Sequence, residues 1–156
     1  MTKIERYELF HNSSDFDSLI NKSFKDIKAH SIPGELFVKK YLPQIEQDKS
    51  AFILYEDGKP IGYEAVIIKN NEFIFGFTYV IPSKRGLGHS YSLRKKTIET
   101  FSNKLDILVI AIKKRNQPSL KGVKRIAKEL NCEYSSETFT HDNGEVYEKL
   151  TISRPD

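Results

Sequence analysis

The chain has no tryptophan, one methionine and one cysteine in 156 residues. The lone Cys132 cannot form an intrachain disulfide, and no Cys-x-x-Cys pair or Cys/His cluster supplies zinc-site spacing. No metal is expected, and a chain without disulfides suits a reducing, cytoplasmic compartment. No apolar run approaches the ~20 residues of a membrane span, and the opening MTKIERYELF has no secretory core. No membrane partner is expected. A Walker loop, GxxxxGK[ST], is absent. A dinucleotide fingerprint is absent too: after Gly86 and Gly88 its third glycine position is Tyr91, and the strands before it read as a meander. Without repeats, low-complexity tracts or linkers, 1–156 reads as a single domain, long enough for a real core.

The charge is unevenly divided. Between Lys84 and Lys128 stand 13 Lys and Arg against only Glu99 and Asp106, a net +11, which leaves −7 for the rest of a chain of net charge +4. Such a chain can meet an anion with one part and a cation with another.

The hydrophobic pattern predicts an α/β chain in the order β-α-α-β-β-β-α-β-α-β-β. Residues 4–10 read as a strand. A helix follows over 12–30, capped by Ser13, Ser14 or Asp15, with Phe16, Leu19, Ile20, Phe24 and Ile27 as its apolar stripe. Pro33 and Gly34 end it, and a short second helix is expected over Glu35–Tyr41. Residues 51–81 read as an antiparallel meander that turns at Asp57-Gly58 and at Asn70-Asn71. From Gly88 to Phe101 the period becomes helical, with Leu87, Tyr91, Ile98 and Phe101 toward one side. The run DILVIAI, 106–112, predicts a buried parallel strand. A helix over 118–130 and two strands joined at Asp142-Asn143-Gly144 complete the chain.

The stretch IPSKRGLGHS, 81–90, lies between the third meander strand and the next helix. A helix N-terminus presents unpaired N–H groups and the positive end of the helix dipole. Glycines at that junction let a backbone approach an anion closely. Lys84, Arg85, Gly86 and Gly88 therefore suggest a phosphate cradle.

The strand, KRGLG loop, helix, apolar strand, Asn116 and final helix, in that order, resemble the GNAT N-acetyltransferase superfamily. The resemblance spans nearly the whole chain in element order and is concentrated in residues 78–91 and 106–132. It implies an α/β fold with a mixed, mostly antiparallel sheet flanked by helices. It also implies a transferase that moves an acetyl group from acetyl-CoA to a primary amine of a small molecule or peptide, as a monomer or homodimer. Ser83 to Gly88 occupy the RxxGxG frame, with Ser83 where the family has Arg or Gln. The pyrophosphate would be held by Lys84, Arg85, Gly86, Leu87, Gly88, His89 and Ser90, and the pantetheine by Val80, Ile81, Asn116 and Ser119. Leu130-Asn131-Cys132 matches the closing Leu-Gly-Phe, with Asn able to take the left-handed conformation in place of Gly.

Acetyl transfer needs a deprotonated amine, a polarised carbonyl and a leaving thiolate. A backbone N–H near Val80 or Ile81 is expected to polarise the carbonyl. Glu64, Glu72 and Tyr79 are the candidates for receiving the proton, Tyr79 through a water. The family's general-acid tyrosine falls on Ala127. Phe37 and Tyr41 are expected to wall the acceptor side, whose acidic residues are Asp26, Glu35, Glu46, Glu137, Asp142 and Glu145. Two other readings stand beside the transferase. One is an acyl-CoA-binding regulatory module without turnover. The other is a nucleic-acid-associated, tRNA-directed protein, suggested by the basic span and supported by no motif.

Overall fold

The structure is a computed structural model, and it describes residues 1–26, 36–70, 72–103 and 105–154. Among the described residues, seven strands form two sheets. The first has the order β1 (Thr2–Arg6), β2 (Ala51–Glu56), β3 (Lys59–Lys69), β4 (Glu72–Val80), and the second β5 (Ile107–Lys113), β7 (Val146–Ser153), β6 (Glu133–Thr140). The helices are α1 (Ser13–Lys25), α2 (Leu42–Asp48), α3 (His89–Ser102) and α4 (Gln117–Glu129). The architecture is mixed α/β, with antiparallel sheets and flanking helices. The chain divides into two compact units, Met1–Ile67 with Gly76–Thr97 and Ile68–Phe75 with Ile98–Asp156.

In the first unit the meander forms where alternation and turn chemistry place it. Asp57 and Gly58 both have positive φ, 50° and 80°, the conformation an Asp-Gly hairpin needs. Strand β3 is buried on both faces from Ile61 to Val66. Toward α1, Tyr63 meets Phe16 edge-on at 5.4 Å, and its hydroxyl lies 3.0 Å from Ser23 Oγ. Leu19, Ile20, Phe37, Ile45, Ile53, Phe77 and Tyr79 complete that core. Each such side chain contributes about 1.5–3 kcal/mol by burial. The opposite face of β3 carries Glu64, which meets Arg94 of α3.

Gly62 interrupts β3 for a packing reason. A Cβ there would lie 2.8 Å from the Tyr79 carbonyl oxygen and 3.3 Å from the Val80 side chain. The obstacle is backbone and cannot rotate away. Gly62→Ala is expected to destabilise the protein by about 1–3 kcal/mol through overpacking, read as a lowered thermal midpoint.

Several elements depart from the sequence reading. The first strand ends at Arg6, because Asn12 turns the chain by accepting from Glu8 N–H at 2.8 Å and donating to Arg6 O at 3.1 Å. Asn12 takes the N-cap position of α1, and Asp15 instead accepts from the Tyr55 hydroxyl at 2.7 Å. The helix is described to Lys25, so Ile27 and the break at Pro33-Gly34 lie outside the described residues. The second helix does not stop at Tyr41: a π-helical turn, Phe37–Tyr41, runs into α2 and ends at Lys49 with φ 51°. Pro43 stands in the first turn of α2, directly after the π-helical turn, a position where its fixed φ is tolerated. Leu87 is 66% exposed, and the buried stripe of α3 is Leu93, Thr97, Ile98 and Phe101.

In the second unit, β5 runs antiparallel to β7, pairing Ile107 with Ser153 through Lys113 with Tyr147. The parallel strand expected for DILVIAI is corrected here. Its apolar run reports burial, not strand direction. Helix α4 buries Leu120, Val123, Ile126 and Ala127 as its period predicts. It ends in a Schellman turn: Asn131 has φ 58°, Cys132 N–H donates to Ala127 O at 2.8 Å, and Asn131 N–H donates to Lys128 O at 3.1 Å.

Candidate functional site at the exit of β4

Strand β4 is the edge of its sheet, so one row of its backbone groups faces away from β3. Ile81 N–H is used inside, donating to Ile61 O at 2.9 Å. Strand alternation then turns the Val80 N–H outward. Of the two donors expected to polarise a carbonyl, Val80 has the free geometry and Ile81 does not.

After Val80 a 3₁₀ turn, Pro82–Lys84, reverses the chain, closed by Lys84 N–H on Ile81 O at 2.9 Å. Gly86 and Gly88 follow with φ of 81° and 82°, a region that L side chains avoid. Nothing lies within 4 Å of where a Cβ would stand at either residue, so backbone conformation is what requires glycine there. Helix α3 begins at His89, and its first described backbone bond is Ser92 N–H on Gly88 O at 3.1 Å. Among the described residues no acceptor meets the N–H groups of Gly86, Leu87, Gly88, His89 and Ser90. Five consecutive unmatched donors beside a helix dipole are the kind of group that an anion can meet. The His89 Nε2 atom is buried there, with no partner among the described residues.

The two basic residues of the loop are engaged elsewhere. Lys84 pairs with Glu56 of β2. Arg85 donates from Nε to Val80 O at 2.8 Å and from Nη2 to Asp26 Oδ2 at 2.8 Å, and its guanidinium lies 5.6 Å from the Tyr79 ring centre. These cations brace the loop against β2, β4 and the end of α1, which leaves backbone N–H groups to meet an anion. Arg85→Met is expected to lower stability by about 1 kcal/mol, since the pair is partly exposed and screened. Thermal unfolding at low and high salt reads this, the difference narrowing at high salt.

The three proton-transfer candidates are placed very differently. Glu64 is 0% exposed, accepts from Thr78 Oγ1 at 2.7 Å and lies 3.5 Å from Arg94 Nε. Its Oε2 has no partner among the described residues. Burial pushes its pKa up, opposed by the nearby Arg94 charge and by the neighbouring hydroxyls of Thr97 and Thr78. A carboxyl with no exposed surface reaches an incoming amine only through intervening groups.

Tyr79 adjoins Val80 and is buried. Desolvation raises its pKa, Arg85 opposes that rise and Asp26 adds to it, so it stays a neutral phenol. Glu72 opens β4 eight residues before Val80, about 26 Å along an extended strand. It is exposed and lines a groove of about 400 Å³ with Val109, Ala111, Glu137, Phe139 and Lys149, all in the second unit.

Asn116 and Ser119 also belong to the second unit, where Asn116 is the N-cap of α4 and its Oδ1 accepts from Ser119 N–H at 3.3 Å. Among the expected acceptor-side acids, Asp26 is held by Arg85, and Glu145 by Arg115 at 2.8 Å and Lys113 at 3.7 Å. Glu35 lies outside the described residues. Sequence reasoning missed Glu56, Asp26 and Gly62 as supports of the loop. Only Gly62 had a local signal, an isolated glycine inside a strand pattern.

No protein-family model matches the chain, and no curated protein matches it. Solved structures do. An acetyltransferase of the GNAT family from Bacillus cereus is similar over 100% of this chain and 99% of its own, at 14% identity and a TM-score of 0.69. The chain has the GNAT fold. The NatC complex bound to Gag peptide and CoA contains a chain similar at TM-score 0.71 and 14% identity, over 99% of each chain. Diaminobutyrate acetyltransferase from Paenibacillus lautus, in complex with L-2,4-diaminobutyric acid and coenzyme A, is similar at TM-score 0.64 and 11% identity, over 98% of this chain and 95% of its own. In the GNAT fold of this chain, the glycine loop joins β4 to α3.

Proposed function

We propose that this protein is a cytoplasmic, acetyl-CoA-dependent N-acetyltransferase acting on a primary amine of a small molecule or peptide. The observation that carries the reading is the run of unmatched N–H groups from Gly86 to Ser90, at the exit of an edge strand whose Val80 N–H faces outward. The GNAT fold supports it, as do N-acetyltransferases crystallised with CoA among the similar structures.

In this reading the cradle holds the pyrophosphate and the edge of β4 holds the pantetheine arm. The amine lone pair attacks the thioester carbonyl, and Val80 N–H meets the oxygen as it gains charge. The C–S bond then breaks and the thiolate leaves. Tyr79, kept neutral by burial, orients the water that takes the amine's proton. Positioning supplies most of the rate. Tyr79→Phe is therefore expected to lower kcat about tenfold and leave the KM for acetyl-CoA nearly unchanged.

Release of free thiol from acetyl-CoA across a panel of primary amines tests the transferase. Ala127, fully buried where the resemblance places a general-acid tyrosine, favours a second reading of CoA binding without turnover. Calorimetric binding of CoA with no thiol released on any amine selects that second reading, and absence of binding at millimolar acetyl-CoA rejects both.

A further inference from the structure

From Lys113 to Lys128 the chain carries seven cations and no carboxylate. One CoA molecule does not need so many, and the cradle residues are elsewhere. Some of these cations are neutralised: Lys124 by Glu148 at 3.0 Å, Arg125 by Glu129 at 2.8 Å. Lys121 and Lys128 meet no carboxylate among the described residues. Lys121, Lys124, Arg125 and Lys128 share the face of α4 opposite its buried Leu120, Val123 and Ile126. Where that face meets the start of β6, a groove of about 690 Å³ opens, lined by Lys124, Arg125, Lys128, Cys132, Glu133 and Tyr134. Tyr134 is 44% exposed within it.

We infer that this groove binds single-stranded RNA. Lys128 in the groove and Lys121 on the same helix face provide sequence-independent attraction for a phosphodiester chain. An exposed aromatic among them is a platform for one unpaired base. Glu133 at the margin is an acceptor that a ribose 2′-hydroxyl can meet and a deoxyribose cannot. The inference concerns the second unit alone and does not rest on the transferase reading.

Cys132 is the only cysteine, so alkylation of the full-length protein reports on this groove. Single-stranded oligo(U) of about 16 nucleotides is expected to slow maleimide labelling of Cys132 by about fivefold at low salt, the protection of four-fifths occupancy. Affinity should fall with salt, with a slope of about −0.7 per phosphate neutralised. Lys128→Glu is expected to weaken binding and flatten that slope by about 0.7. Tyr134→Ala is expected to weaken binding about tenfold and leave the slope unchanged. Oligo(dU) should bind several-fold more weakly. No protection by oligo(U) at low salt overturns the inference. Equal protection by polyglutamate, equal protection by oligo(dU), or protection by acetyl-CoA alone also overturns it, since these assign the groove to a protein, to DNA or to the cofactor.

Discussion

The paired substitution Gly86→Ala, Gly88→Ala is expected to weaken acetyl-CoA binding by about 10–100-fold while the protein stays folded. Both residues hold φ near +80°, and an L side chain there costs roughly 1–2 kcal/mol. No atom lies within 4 Å of either new methyl position, so the penalty is in the backbone itself. An exposed loop relieves that strain by rotating to negative φ, which swings its N–H groups out of the cradle. Stability then falls by only about 1–2 kcal/mol, and the loss appears in calorimetric affinity. Gly88→Asn is the control, because asparagine tolerates the left-handed region. It should retain binding to within about threefold. Wild-type affinity in the alanine pair would show that the unmatched donors do not hold the ligand.

Glu64→Ala is expected to lower the thermal midpoint by about 10 °C. It empties a fully buried site that Thr78 and Arg94 face, and losing a buried charged partner and its volume typically removes about 3–5 kcal/mol. Glu64→Gln keeps the shape and the hydrogen bond from Thr78, and should lower stability by about 1–2 kcal/mol. The two variants also separate in pH dependence. Burial raises the Glu64 pKa above the ordinary carboxylate value of 4.5. Between 4.5 and its folded value the native state holds a proton that the unfolded chain has released. That contribution is complete below 4.5 and is lost as pH rises through the folded value. The stability difference between wild type and Glu64→Gln should therefore shrink as pH rises above 4.5. Urea unfolding at a series of pH values measures it, and a difference that grows with pH would contradict a raised pKa.

Glu64 also shows how far a one-dimensional reading reaches. An acid inside an apolar strand was legible as unusual, and it suggested chemistry. Its depth under α3 and its pairing with Thr78 and Arg94 became visible only once β3, β4 and α3 were in place. Lys84 and Arg85 make the same point. Beside two glycines they read as phosphate ligands, yet Glu56 and Asp26, 28 and 59 residues earlier in the chain, hold them. The glycines themselves were read correctly as loop residues, because φ is a property of one residue and its immediate neighbours. The Asp57-Gly58 turn, the α4 stripe and the left-handed Asn131 were legible for that reason.

The errors have a common cause. The helix beyond Tyr41 was hidden because Pro43 looks like a stop until its place in the first turn is known. The direction of β5 was hidden because an apolar run registers burial on both faces and says nothing of its partner. Side-chain period, turn residues and helix caps depend on contacts within about four residues, so the linear chain carried the element order, the glycine turn and the basic face of α4. Partner choice across long separations depends on which surfaces pack. Folding therefore decided which cations remain available, which carboxyl is sealed and which backbone donor at the end of β4 faces outward.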